Sequence, residues 1–209
     1  MLIFLIVIIL FTASIYVLGD FLKKPRLKYI FKPLTTILII VLALLQQPET
    51  SETYKYLIIT ALVFSLMGDI FLLLPTDKFV QGLASFLVAH IFYIIAFTQG
   101  FGPYFEWPYL IPAIIYAVLF LWVLLPKTGK LKLPVLVYSL ALLIFIWQAS
   151  GRFYYLADNS STYILLGSFL FVISDSILGY SRFVKSYKFS QALILSTYWG
   201  AQVFLSISI

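Results

Sequence analysis

Long apolar runs recur along the chain, each close to the length of a membrane crossing, and short polar segments separate them. A crossing takes about 20 apolar residues, which predicts helices over 2–19, 33–46, 54–74, 79–100, 107–125, 133–150, 162–181 and 189–208. The second of these is short. Pro75, Pro103, Pro108, Pro126 and Pro134 fall at or near the predicted ends, where a missing N–H breaks no interior helix bond. No intervening segment is long enough for a soluble domain. The expectation is therefore one all-α integral membrane domain over 1–209, a polytopic helix bundle of about eight transmembrane helices. Residues 1–19 lack a basic stretch before the apolar run and a small-x-small site after it, so they read as the first span rather than a signal peptide.

Composition agrees with the pattern, since 63% of the 209 residues are hydrophobic and only 11% are charged, against about 25% charged in a soluble domain. The net charge of +6 does not point to nucleic acid, because the basic residues lie between spans instead of clustering on a domain. With the N-terminus outside, the inner segments hold Lys23, Lys24, Arg26, Lys28, Lys32, Lys78, Lys127, Lys130, Lys132, Arg182, Lys185 and Lys188. The outer ones hold Lys55 and Arg152. A split of 12 to 2 fixes the orientation by the positive-inside rule and places both termini outside. Glu49, Glu52, Glu106 and Asp158 lie in the outer segments, with Tyr54, Tyr56, Tyr104, Trp107, Tyr109, Tyr154 and Tyr155 as an interfacial belt. A bacterial inner membrane is the expected location.

Against this background two acids stand out. Asp69 and Asp175 sit inside the third and seventh spans, and a carboxylate in hydrocarbon costs at least about 2.5–3.5 kcal/mol on insertion scales, so it is rarely kept without a task. Asp69 lies six residues before Pro75 and Asp175 seven before Arg182, which puts both about 9–11 Å from the inner ends of parallel helices. They lie four spans apart, as a four-plus-four internal repeat would require. At their level Ser85, Tyr138, Ser139, Ser196, Thr197 and Tyr198 provide polar groups, and a pocket in the inner half of the bundle follows. His90, the only histidine, shares a helix face with Gly82, Phe86, Tyr93 and Phe97. Gln191, Tyr198, Gln202 and Ser206 form a polar stripe on the last helix. Such stripes face inward, because lipid cannot satisfy their hydrogen bonds. Each residue also has a plainer reading: a structural hydrogen bond for the acids, a neutral core histidine for His90, interhelical bonding for Tyr198 and Gln202. For Gly68, Gly167, Ser168, Ser174 and Gly179, close helix packing is the preferred reading.

Several chemistries are disfavoured. The chain has no cysteine and one histidine, fewer nitrogen and sulfur ligands than a zinc site normally uses, so no metal or other cofactor is expected. There is no Gly-x-Ser-x-Gly elbow, and neither a phosphate loop nor a dinucleotide fingerprint. Carboxylate acid–base chemistry and proton-linked transport remain.

Four blocks then carry a resemblance: Gly68-Asp69 followed by Leu72 and Pro75; Gly82-x-x-x-Phe86-x-x-x-His90-x-x-Tyr93; Gly167-x-x-x-Phe171-x-x-Ser174-Asp175; and Tyr198-x-x-x-Gln202. With Lys32-Pro33 as a further feature, the pattern resembles the YhhN-like lysoplasmalogenase family of eight-span membrane proteins, clearly over 65–100 and 163–204. The resemblance implies hydrolysis of the vinyl-ether bond of a lysophospholipid, the lysoplasmalogen, to a fatty aldehyde and a glycerophospho-amine. An enol ether is cleaved by protonation at carbon and capture of the oxocarbenium ion by water. Two carboxylates can divide those roles, as they do in glycosidases.

On this reading Asp69, Asp175 and His90 are the candidate catalytic residues. Tyr93, Tyr198, Gln202, Ser174, Lys32, Lys78 and Arg182 are candidate substrate-binding residues. A headgroup near Lys32, Lys78, Arg182 or Lys185 would leave the tail in a cleft lined by Phe86, Phe97, Phe171 and Trp147, with membrane lipids as the surrounding partners. The alternatives are a proton-coupled carrier of a lipid-like or small organic solute and a non-catalytic lipid-binding protein.

Overall fold

In a computed structural model, which describes residues 2–48 and 51–209, the chain forms eight α-helices among the described residues and no strand. They are α1 (Leu2–Phe21), α2 (Pro25–Leu45), α3 (Glu52–Leu73), α4 (Phe79–Phe97), α5 (Trp107–Leu124), α6 (Lys132–Leu156), α7 (Asn159–Phe183) and α8 (Ser190–Ile207). Two 3-10 turns, Leu125–Lys127 and Gly129–Leu131, link α5 to α6. Seven of the helices are long and apolar enough to cross a membrane. The other, α8, carries Gln191, Ser196, Thr197, Gln202 and Ser206, which lower its hydropathy, and much of this helix is buried against its neighbours. The chain is a multi-pass integral membrane protein. Glu49 lies outside the described residues.

The most extensive packing joins α3 to α4 and α7 to α8, and in both pairs a glycine permits it. A Cβ on Gly68 would lie 2.7 Å from the Phe86 ring, and one on Gly167 would lie 3.0 Å from the Ala201 carbonyl oxygen. With little hydrophobic drive between helices in lipid, close backbone approach of this kind supplies the association. Gly179 is different: a Cβ there meets Leu124 at an ordinary 3.4 Å.

The main correction concerns α2, which begins eight residues before the expected 33. Pro25 occupies its first position, where a locked φ suits a helix start, and Pro33 lies in its interior. Membrane helices tolerate an interior proline, since surrounding groups can take up a freed carbonyl. Lys32 is consequently a buried mid-helix residue, 6% exposed, and not the first residue of a span. At the opposite end of the bundle α6 runs six residues beyond 150. Its last turns hold Arg152, expected in an aqueous segment but fully buried. The guanidinium donates to the Phe97 carbonyl at 2.8 Å and lies 5.4 Å from the Tyr54 ring centroid. A cation at the C-terminus of α4 meets carbonyls that have no helical partner. The tyrosine belt is likewise only partly interfacial. Tyr54 and Tyr104 are buried, Tyr54 bonding the Ser208 hydroxyl at 2.7 Å and Tyr104 exchanging backbone bonds with the Gln148 amide at 2.9 Å. α7 starts three residues early because Asp158 forms a capping box with Ser161.

Topology is tested at two exposed positions that avoid the positive-φ Gly129 and the Asp158 cap. Lys130→Cys and Asn159→Cys are expected to react with an impermeant maleimide from opposite sides of sealed vesicles. Labelling from the same side would overturn the orientation drawn from the basic residues.

Candidate active site

Asp69 is held from three directions. Its carboxylate is 1% exposed, accepting from the Thr36 hydroxyl at 2.8 Å and from the Tyr198 hydroxyl at 2.9 Å. Lys32 Nζ lies 3.1 Å from the other oxygen. Lys32 and Thr36 stand one helical turn apart on α2, so both reach the same carboxylate, and Trp199 Nε1 donates to Thr36 Oγ1 at 3.3 Å. A buried ion survives only where attraction and hydrogen bonds offset its desolvation. Three donors on one carboxylate meet that condition.

Asp175 is held differently. Tyr138 donates to one of its oxygens, the side chain is half-buried, and no cation pairs with it among the described residues. Both aspartates line one cavity of about 440 Å³ at the basic end of the bundle. Its walls also carry Lys28, Lys32, Arg182, Ser174, Gln191 and Tyr198. Arg182 forms an ion pair at 2.5 Å with Asp77 of the α3–α4 connection and holds that exposed carboxyl below the usual carboxylate range. The cavity thus joins a cationic mouth to two acids in very different settings.

The remaining sequence candidates divide. Ser174 lines the cavity while donating to the Ile194 carbonyl at 2.9 Å. His90 does not reach it. Its Nδ1 lies 2.7 Å from the Phe86 carbonyl, which can only accept, so Nδ1 carries the hydrogen. Its ring is enclosed edge-on by Tyr138, Phe145 and Phe171 at 5.4, 4.9 and 4.7 Å. His90 therefore buttresses the tyrosine that bonds Asp175. Tyr93 and Gln202 are fully buried in the core, outside the cavity wall, and Lys78 precedes α4 without lining it. Ser196 and Thr197 bond carbonyls of their own helix. The tail cleft expected along Phe86, Phe97, Phe171 and Trp147 is not formed. Phe97 and Phe171 are core residues with no exposure, and Trp147 donates to the Glu106 carbonyl at 3.1 Å. Thr36, Lys28 and Tyr16 are wall or partner residues that the sequence reading missed; the Lys32–Thr36 spacing is the signal for Thr36, hidden by starting the second helix at 33.

Fold and site together define a polytopic helical membrane protein with a paired-carboxylate cavity opening among basic residues. The chain belongs to the YhhN family, whose model matches residues 27–209. It is 23% identical over 173 residues to the membrane protein YhhN of Escherichia coli O157:H7, covering 83% of this chain and 82% of that protein. It is also similar to lysoplasmalogenase TMEM86B of Homo sapiens, 34% identical over 158 residues, or 76% of this chain and 65% of that protein. The same enzyme of Sus scrofa is 32% identical over 150 residues, 71% of this chain and 61% of that protein. The match thus spans less than two thirds of the length of these mammalian relatives. No solved structure matches.

Removing Lys32 would leave a buried carboxylate without its counter-ion. Lys32→Met is therefore expected to cost about 3–5 kcal/mol, read as a lower unfolding midpoint of the purified protein in detergent. Combining it with Asp69→Asn should recover most of that loss. A double variant no more stable than Lys32→Met alone would show that the two groups are not coupled.

Proposed function

We propose that the protein is an intramembrane hydrolase that cleaves the vinyl-ether bond of a lysoplasmalogen, releasing a fatty aldehyde and a glycerophospho-amine. The observation that carries this reading is the inequality of the two aspartates in one cavity. Asp69 meets a lysine and two hydroxyl donors, the environment of a carboxylate. Asp175 meets one tyrosine hydroxyl, which leaves its second oxygen free to carry a proton into the cavity. Membership of a family whose mammalian members are lysoplasmalogenases supports the same reaction.

In this mechanism Asp175 is the general acid and transfers its proton to the vinyl carbon remote from oxygen. The positive charge on the resulting oxocarbenium ion is stabilised by the Asp69 carboxylate, which then accepts a proton from the water that attacks the carbon beside oxygen. The hemiacetal collapses to the aldehyde as the glycerol oxygen takes a proton, so one water is consumed and one C–O bond breaks. Lys28 and Arg182 supply charge that holds the anionic phosphate of the headgroup at the mouth. The vinyl ether of a lysolipid lies just beneath its glycerol, and the acids lie correspondingly close to the basic end of the bundle.

Asp175→Asn keeps shape and loses the transferable proton, so it is expected to lower turnover by about 10²–10⁴-fold with an unchanged elution profile. Aldehyde release by purified protein in detergent is the measurement. Heavy water is expected to slow turnover, and an ester lysolipid should be a poor substrate. Full activity of Asp175→Asn, or equal turnover of ester and vinyl-ether lysolipids, would defeat the mechanism.

A further inference from the structure

A second opening meets the catalytic cavity at Asp175. It is an apolar groove of about 370 Å³ between α5 on one side and α6 and α7 on the other. Ala113, Ala117 and Phe120 of α5, Leu142 and Ile146 of α6 and Gly179 of α7 are among its wall residues. Asp175, Leu178 and Phe79 belong to the walls of both cavities, so the two adjoin at these residues. The groove's character is opposite to that of its neighbour. Several of its hydroxyls are engaged: Tyr116 donates to Ser176 at 2.7 Å, Ser176 to the Val172 carbonyl at 2.6 Å and Ser150 to the Ile146 carbonyl at 2.8 Å.

Its length is informative too. On α6 the wall runs from Val135 to Ser150, and the part from Tyr138, beside Asp175, to Ser150 is about 18 Å along a helix. One leaflet of a bilayer presents about 15 Å of hydrocarbon. The small side chains of Ala113, Ala117 and Gly179 keep the groove open, and α5 itself is lightly held, with Leu124 its one buried residue.

We propose that this groove binds the single hydrocarbon tail of a lysolipid whose headgroup phosphate sits at Lys28 and Arg182, with Asp175 at the junction. The proposal rests on the hydrolase reading for the position of the broken bond, but the binding it describes does not need that bond to break. Polar and apolar halves of one amphiphile would occupy the polar and apolar members of two adjoining spaces. The scissile linkage, which separates those halves chemically, falls where the two spaces meet.

The test uses the full-length protein in lipid nanodiscs and an ester-linked lysophosphatidylethanolamine carrying a diazirine near the end of its tail. After irradiation, peptide mapping is expected to place the label on groove residues such as Ala113, Ile146 or Phe169, and unlabelled lysolipid should compete it away. Label on α1 to α3, or spread over the lipid-facing surface without competition, would overturn the proposal. The unaltered protein decides this without any variant. In a parallel assay of vinyl-ether lysolipids, Ala117→Phe is expected to lower the ratio of long-chain to short-chain kcat/KM by at least about ten-fold, and an unchanged ratio in a folded variant would count against the site. Competed groove labelling without aldehyde release would keep the tail site and sink the hydrolase reading. Aldehyde release with label elsewhere would do the reverse.

Discussion

A charge enclosed in an apolar bundle must be answered from within the protein, and the Lys32–Asp69 pair is where this chain meets that demand. The carboxylate draws Lys32 and Thr36 of α2 and Tyr198 of α8 onto α3, so three donors from two neighbouring helices converge on one point. Trp199 extends the network by bonding Thr36. Much of the basic half of the bundle is arranged around this requirement: α2 runs through a proline to bring Lys32 to depth, and α3 crosses α4 closely at Gly68. Without internal partners the acid would have to be neutral or face water.

Asp175 is freed by the same arrangement. Because the nearby lysine is committed to Asp69, the second acid stands without a cation and keeps a half-exposed face on the shared cavity. Its single tyrosine partner is itself held by aromatic packing around His90. Two chemically identical side chains thus acquire different capacities from their neighbours, the kind of separation that acid–base pairs exploit.

Helix number, helical class and membrane character were legible because hydrophobic run length reports directly on bilayer crossing. The acids were legible as well, since their cost in hydrocarbon makes them conspicuous. Helix limits near proline were not, because a sequence does not show that neighbours can re-satisfy a broken helix bond; this displaced α2 and concealed Thr36. Arg152 was misplaced for a related reason: a cation near a run's end looks aqueous until the carbonyls of another helix terminus are seen beside it. His90 shows the limit of a shared helix face, which indicates an inward direction and leaves open whether the side chain ends at a cavity or in a packed aromatic cluster.

The light attachment of α5 separates two kinds of selection. The close glycine crossings of α3 with α4 and of α7 with α8 constrain the scaffold tightly, whereas α5 presents nearly all of its surface to lipid or to the groove. Changes of side-chain size along α5 therefore alter the space beside the acids while disturbing little of the packing that maintains the fold. A family built this way can diversify in the hydrophobic ligands it accepts on one helix and keep its polar machinery fixed on the others.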